Sequence, residues 1–157
     1  MTEAVMTEAQ WLERLEESEA LLEEYPDHPD AGRLAGEALV ELRRRGEGIV
    51  QLREQTVRCP HDSLAHDLLA DALIIQGRAA EALEATELAL AARPGRPQAT
   101  YDRARASSLL GRDESALLDL ALAMKADRCF GDRAHEERAF RSLATDARFR
   151  ALFSTSP

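Results

Sequence analysis

Pro26, Pro60 and Pro94 stand 34 residues apart, and Pro29 and Pro97 stand 68 apart. Proline removes a backbone donor, clashes with the preceding helical turn and pushes the residue before it to extended geometry, so it ends helices. A breaker that recurs at a fixed step implies a structural unit that recurs at the same step. Other columns keep the period: Gly36, Ala70 and Ala104; Gly48, Ala82 and Ala116; Gln55, Ala89 and Ala123. Small residues suit places where two helices approach closely. Each unit also breaks midway, at "RRRGEG" (43–48), "QGRA" (76–79) and "LGRD" (110–113), with Gly77 and Gly111 again 34 apart. Glycine there supplies the left-handed residue that closes a helix, and the first unit has none in that slot. Pro29 and Pro97 are expected at the first position of the following helices, with Ser63 in the matching slot. Each unit reads as helix, tight turn, helix.

Composition agrees with an all-α chain. Of 157 residues, 45% are apolar, 31% charged and only 4% aromatic, and the clearest β-branched run, Ile74-Ile75, lies inside a helical pattern. The net charge of −9 is concentrated in residues 1–30, where ten acidic side chains face one basic, Arg14. The remainder balances, so the repeats are neutral and the N-terminal stretch is an anion. Nucleic acid is excluded as a partner, because binding it rests on a basic face. The one basic cluster, Arg43-Arg44-Arg45, falls at a helix C-terminus, where cations suit the dipole. Cys59 and Cys129 form no Cys-x-x-Cys motif and read as free thiols in a reducing compartment. The start "MTEAVMTEAQ" has no basic region followed by an apolar stretch, and no segment is apolar over the ~20 residues that span a bilayer. The expected setting is cytoplasmic, without a membrane contact.

With these columns in place, the chain resembles the tetratricopeptide-repeat (TPR) family, whose unit is a 34-residue helical hairpin. The resemblance covers residues 29–128 as three units, 29–62, 63–96 and 97–128. The middle unit matches best, with "HDLLADAL" (66–73), Gly77, Ala82, Ala89 and Pro94. The first puts Gly48 and Gln55 in slots usually held by alanine. The third puts Arg103 and Ser107 where apolar residues are expected, and Arg128 replaces the closing proline. "FRSLATDARFRALF" (140–153) is similar to the end-of-group extension of bacterial TPR proteins, with an apolar face of Phe140, Leu143, Phe149, Leu152 and Phe153 and Asp146 as N-cap. At the other end, "TEAQWLERLEESEALLEEY" reads as an amphipathic helix with a Thr7–Gln10 capping box and a stripe of Trp11, Leu15, Leu22 and Tyr25. It is expected to cap the first repeat; the alternative is a mobile acidic arm that blocks the groove or recruits a basic partner. The implied architecture is a right-handed α-solenoid, with residues 1–28 and 129–157 as caps, since an open stack must cover its terminal cores.

Little in the chain suggests chemistry. Cys59, His61 and His66 in "CPHDSLAH" lie close together, but a closed zinc site needs a fourth ligand, so no metal or cofactor is expected. There is no Gly-rich phosphate loop and no nucleophile elbow, and no catalytic residue is assigned. What remains is a surface. The resemblance implies that the first helix of each hairpin lines a concave groove. Leu69, Ala70 and Leu73 are expected against the partner helix. The groove stripe is then Leu64, Asp67, Asp71, Ile74 and Ile75. Its equivalents are Asp30, Arg33, Glu37, Val40 and Glu41 in the first unit and Gln98, Tyr101, Arg105, Ser108 and Leu109 in the third. Family members that grip a C-terminal carboxylate place Lys, Asn and Arg here; Arg33 and Arg105 match in charge only. An acidic centre at Asp67 and Asp71 beside Ile74 instead suits a partner segment carrying Lys or Arg with an aliphatic anchor. The expected function is a non-enzymatic adaptor or scaffold that holds such a segment of another protein. Two alternatives stand beside it. One is a dedicated chaperone for a secreted or apolar client, similar to type III translocator chaperones, against which the low aromatic content and the extension ending at Phe153 count. The other is a structural protein that self-assembles through its N-terminal helix or an uncovered repeat edge.

Overall fold

The computed structural model describes residues 5–154; Glu3 of the acidic stretch and the outermost residues of both expected caps lie outside that range. Among the described residues nine α-helices follow one another: α1 Glu8–Glu24, α2 Ala31–Glu41, α3 Arg45–Arg58, α4 Ser63–Ile75, α5 Ala79–Ala92, α6 Pro97–Leu109, α7 Asp113–Ala126, α8 Cys129–Glu136 and α9 Ala147–Ser154. A 3-10 segment, Arg138–Leu143, joins the last two. There is no strand among the described residues. Helices α2–α3, α4–α5 and α6–α7 form three antiparallel hairpins, each packed on the next, which makes the chain a helical solenoid.

The period of the prolines is the period of the helix ends. Helices α3, α5 and α7 stop at Arg58, Ala92 and Ala126, and α1 stops at Glu24, one further step of 34 back. Helix α1 therefore sits in phase as the second helix of a half-repeat. Its Leu15, with Trp11 and Leu22 beside it, packs on Ala35, Ala38 and Leu39 of α2. The Thr7–Gln10 capping box starts it, Gln10 N–H donating to Thr7 Oγ1 at 3.3 Å and Thr7 N–H to Gln10 Oε1 at 2.8 Å. Tyr25, expected in the packed stripe, is exposed, because the helix ends before it and Pro26 turns the chain away. Pro29 also departs from expectation. Pro97 and Ser63 open their helices, whereas α2 begins two residues after Pro29. The backbone N–H groups of Asp30 and Ala31 donate instead to His28 Nδ1, at 3.2 and 3.1 Å, which delays the first turn.

Within each hairpin the turn is built the same way. Arg44, Arg78 and Arg112 N–H groups each donate to a carbonyl five residues back, on Leu39, Leu73 and Ser107, all at 2.9 Å. The residue before each arginine must then be left-handed. Gly77 (φ 75°) and Gly111 (φ 70°) take that conformation freely, and Arg43 (φ 62°) is forced into it. The missing glycine of the first unit is thus a strained arginine, held by a hydrogen-bond pattern identical to the other two.

The departures within the columns have paired compensations. Gly48 replaces alanine because a Cβ there would meet Val40 Cγ2 at 2.8 Å and the Gly36 carbonyl at 3.0 Å. Gln55, fully buried in an alanine slot, donates Nε2–H to the Pro29 carbonyl at 2.6 Å, and Gly32 leaves it room. Arg103 and Asp119 stand where the middle unit has Leu69 and Ala85. They form a two-pronged ion pair across α6–α7, at 2.8 and 2.6 Å, so an apolar contact is replaced by a charge-assisted one. At the C-terminal end, Phe140, Leu143 and Phe149 are buried with Tyr101 and Phe130, and Leu152 and Phe153 pack beside them. Asp146 caps α9, accepting from Arg148 N–H at 2.7 Å. Helix α9 begins 34 residues after α7, so this end is the phase-true beginning of a fourth unit whose first helix breaks at Glu137.

Relieving the left-handed arginine is a direct check on this turn. Arg43→Gly should stabilise the chain by about 1 kcal/mol, raising the melting temperature by about 2–4 °C, and Gly77→Ala should lower it by a similar amount. Thermal unfolding followed by circular dichroism reads both.

Candidate partner-binding site

The stripe expected to line the groove divides into two sets. One set holds the hairpins together. Arg33 pairs with Asp30 at 2.8 Å and lies 3.5 Å from Asp62. Asp67, one repeat on, is buried and accepts from Arg96 Nε–H at 2.8 Å, with a second contact from Arg96 Nη2. Tyr101, one repeat further, is fully buried with its ring centroid 4.9 Å from Phe130. Residues 33, 67 and 101 are equivalent, and so are 62, 96 and 130. The same junction is made three times with three chemistries: cation to anion, anion to cation, and aromatic to aromatic.

Arg105 is the second fastener. It is buried, donates to Asp71 at 2.5 Å and to Asp102 at 2.8 Å, and has Glu137 3.1 Å from its Nε without alignment on the N–H. Burial pushes the Asp102 carboxyl up to about 6, with Arg105 pulling the other way. Burial likewise raises Asp67 against the pull of Arg96, and lifts the Tyr101 phenol to about 12. The remaining third-unit positions meet the C-terminal segment. Gln98 accepts from Arg133 at 3.0 Å, and Ser108 donates to the Ala139 carbonyl at 2.7 Å.

These placements correct the expected stripe at several points. Tyr101 does not line an open groove, and Arg105 reaches only a pocket wall with its charge taken up by Asp71 and Asp102, because α8 and the 3-10 segment lie over the side of α6 that carries them. Asp67 is not an open charge waiting for a guest, since Arg96 neutralises it from the loop before α6. Val40 packs toward Gly48 of α3 and belongs to the hairpin core. Ile74 is buried, although it still forms part of a pocket floor.

The second set is open. Leu64 is 45% exposed, Ile75 48% and Leu109 44%. Asp71 keeps 40% of its side chain in solvent beyond its Arg105 contact. Glu37 and Glu41 have no ion pair among the described residues. At the tips of α4 and α6 a pocket of about 380 Å³ has a floor of Ile74, Ile75, Leu109 and Ala139 and walls that include Arg105, Glu137, Arg138 and Arg141. The sequence pointed to its α4 and α6 sides but not to the wall from the 3-10 segment, since no periodicity links residues 137–141 to the tip of α4.

No group of three His, Cys, Asp or Glu among the described residues is placed to hold a metal ion. His66 Nε2 lies 3.1 Å from the Pro60 carbonyl, and Cys59 Sγ points at the Pro29 carbonyl at 3.9 Å. No described helix is long and apolar enough to cross a membrane.

Neither a protein-family model nor a curated protein sequence matches the chain. Solved structures do. MamA of AMB-1 superposes with a TM-score of 0.64 at 24% identity, over 73% of this chain and 62% of that one. YrrB, described as a TPR protein with an unusual peptide-binding site, gives 0.70 at 21% identity, over 82% and 68%. TTC0263, a thermophilic TPR protein of Thermus thermophilus, gives 0.72 at 17% identity, over 93% and 81%. This chain therefore spans less than two thirds of the length of MamA of AMB-1. With three 34-residue helical hairpins and these structural neighbours, it has the tetratricopeptide-repeat fold.

Two outcomes test the fasteners. Asp67→Arg sets two guanidiniums against each other in a buried site and should cost about 3–5 kcal/mol. The double variant Asp67→Arg/Arg96→Asp should recover most of it, because the Arg33–Asp62 junction already runs in that polarity; a double-mutant cycle in urea reads the coupling. Asp102, protonated more readily folded than unfolded, stabilises the fold below its unfolded pKa near 4. That contribution is lost as pH rises through about 6. In carbon-13 NMR its carboxyl should titrate near pH 6, far above Asp146, which hydrogen bonds from Arg148 hold at about 2.

Proposed function

We propose that the protein is a non-enzymatic adaptor that holds a segment of another protein along the groove-side face of its hairpins. The observation that carries this reading is the apolar-floored pocket between the tips of α4 and α6, where half-exposed Ile75 and Leu109 flank buried Ile74 under a wall of charged side chains. An aliphatic side chain of the partner would seat on Ile75 and Leu109. A basic residue would face Glu37, Glu41 and the open oxygen of Asp71, which take the role first assigned to Asp67. The description of YrrB as having a peptide-binding site supports such use of the fold. A reducing, cytoplasmic setting fits the two free cysteines.

Ile75→Asp tests the reading, since Ile75 is half exposed and its replacement leaves the core intact. Affinity capture from the native cell with quantitative mass spectrometry should show a partner of the wild-type chain depleted at least about tenfold on the variant, with unchanged melting. Equal recovery of every captured protein would overturn the assignment of this face.

A further inference from the structure

The groove-side face carries opposite charges at its two ends. Arg138 and Arg141 wall the pocket from the 3-10 segment. A 3-10 helix has three residues per turn, so side chains at i and i+3 eclipse and these two guanidiniums share one side. Both are exposed, and neither has a hydrogen bond or ion pair among the described residues. The nearby carboxylates do not neutralise them: Asp71, Asp102 and Glu137 converge on Arg105, and Asp102 is sealed in the core. At the other end, Glu37 and Glu41 of α2 are unpaired among the described residues and Asp71 is partly open. Ile75 of α4 and Leu109 of α6 lie between these ends.

We propose that the occupant is a bipolar protein segment: a basic residue toward α2, an aliphatic side chain in the pocket, and a carboxylate against Arg138 and Arg141. This rests on the groove reading above and adds the acidic end. A purely basic segment would set like charges against the two arginines, and a purely acidic one would meet Glu37 and Glu41. With screening over about 8–10 Å at physiological salt, only charges seated at the face discriminate, so selection falls on side chains flanking the anchor.

Selection of a random dodecapeptide phage library on the full chain tests it. The expected result is enrichment of peptides that combine an aliphatic residue with Asp or Glu on one side and Lys or Arg on the other. For a selected synthetic peptide, amidated at its C-terminus, replacing the acidic residue by Gln should weaken calorimetric binding at least about tenfold. That loss should vanish on the R138Q/R141Q variant, whose melting should match wild type. If the peptides bind and are lost on Ile75→Asp but show no acidic preference, or one indifferent to R138Q/R141Q, the bipolar proposal fails while the groove reading stands. If no selected peptide depends on Ile75, both fail.

Discussion

Everything in this molecule depends on a contact made once per repeat between the groove side of a first helix and the start of the next hairpin. A linear stack has no single core, so each interface must carry its own share of the stability. Here the interface is not one residue pair copied three times. Arg33 leans on Asp62, Asp67 on Arg96, and Tyr101 on Phe130. Because the polarity reverses at the second junction and becomes apolar at the third, a hairpin placed in the wrong order would meet a like charge or an unpaired one. The ion pairs are partly or wholly buried, where an uncompensated charge is costly, so they discriminate registers more strongly than they stabilise the right one.

The same arrangement explains why the groove is smaller than its stripe of residues suggests. Positions that point toward the hollow in an isolated repeat are also the positions that reach the neighbouring repeat. In the third unit, α8 and the 3-10 segment take up Gln98, Tyr101, Arg105 and Ser108 as a fourth hairpin would. The segment breaks at Glu137 before it becomes a full helix, and that break leaves the 3-10 turn at the edge of the pocket. The segment that closes the terminal core thus also furnishes the pocket wall carrying Arg138 and Arg141.

Much of the fold was legible because its signals are local and periodic. Prolines at a step of 34 mark helix ends wherever they occur, and Gly77 and Gly111 mark turns by backbone conformation alone. The capping box at Thr7 and the Asp146 cap are short-range signals of the same local kind. What could not be read are the side-chain pairs, which depend on distance across the stack. Asp67 looks like a free charge until Arg96, 29 residues away, is placed beside it. Arg103 looks like a misfit until Asp119 is found opposite. Arg43 in a glycine slot looks like a broken pattern, yet the hydrogen bonds around it prove stronger than its steric preference. Aligning the columns in pairs would have exposed the first two, since in each case both partners depart from their column together.

The proposed recognition surface lies at the tips of α2, α4 and α6 and on the 3-10 segment, away from the second helices α3, α5 and α7. Hydrogen–deuterium exchange of the chain with and without its captured partner tests this most directly. Added protection confined to the C-terminal turns of α2, α4 and α6 and to residues 137–141 is the predicted result. Protection on α3, α5 or α7, with those four segments unchanged, would contradict it.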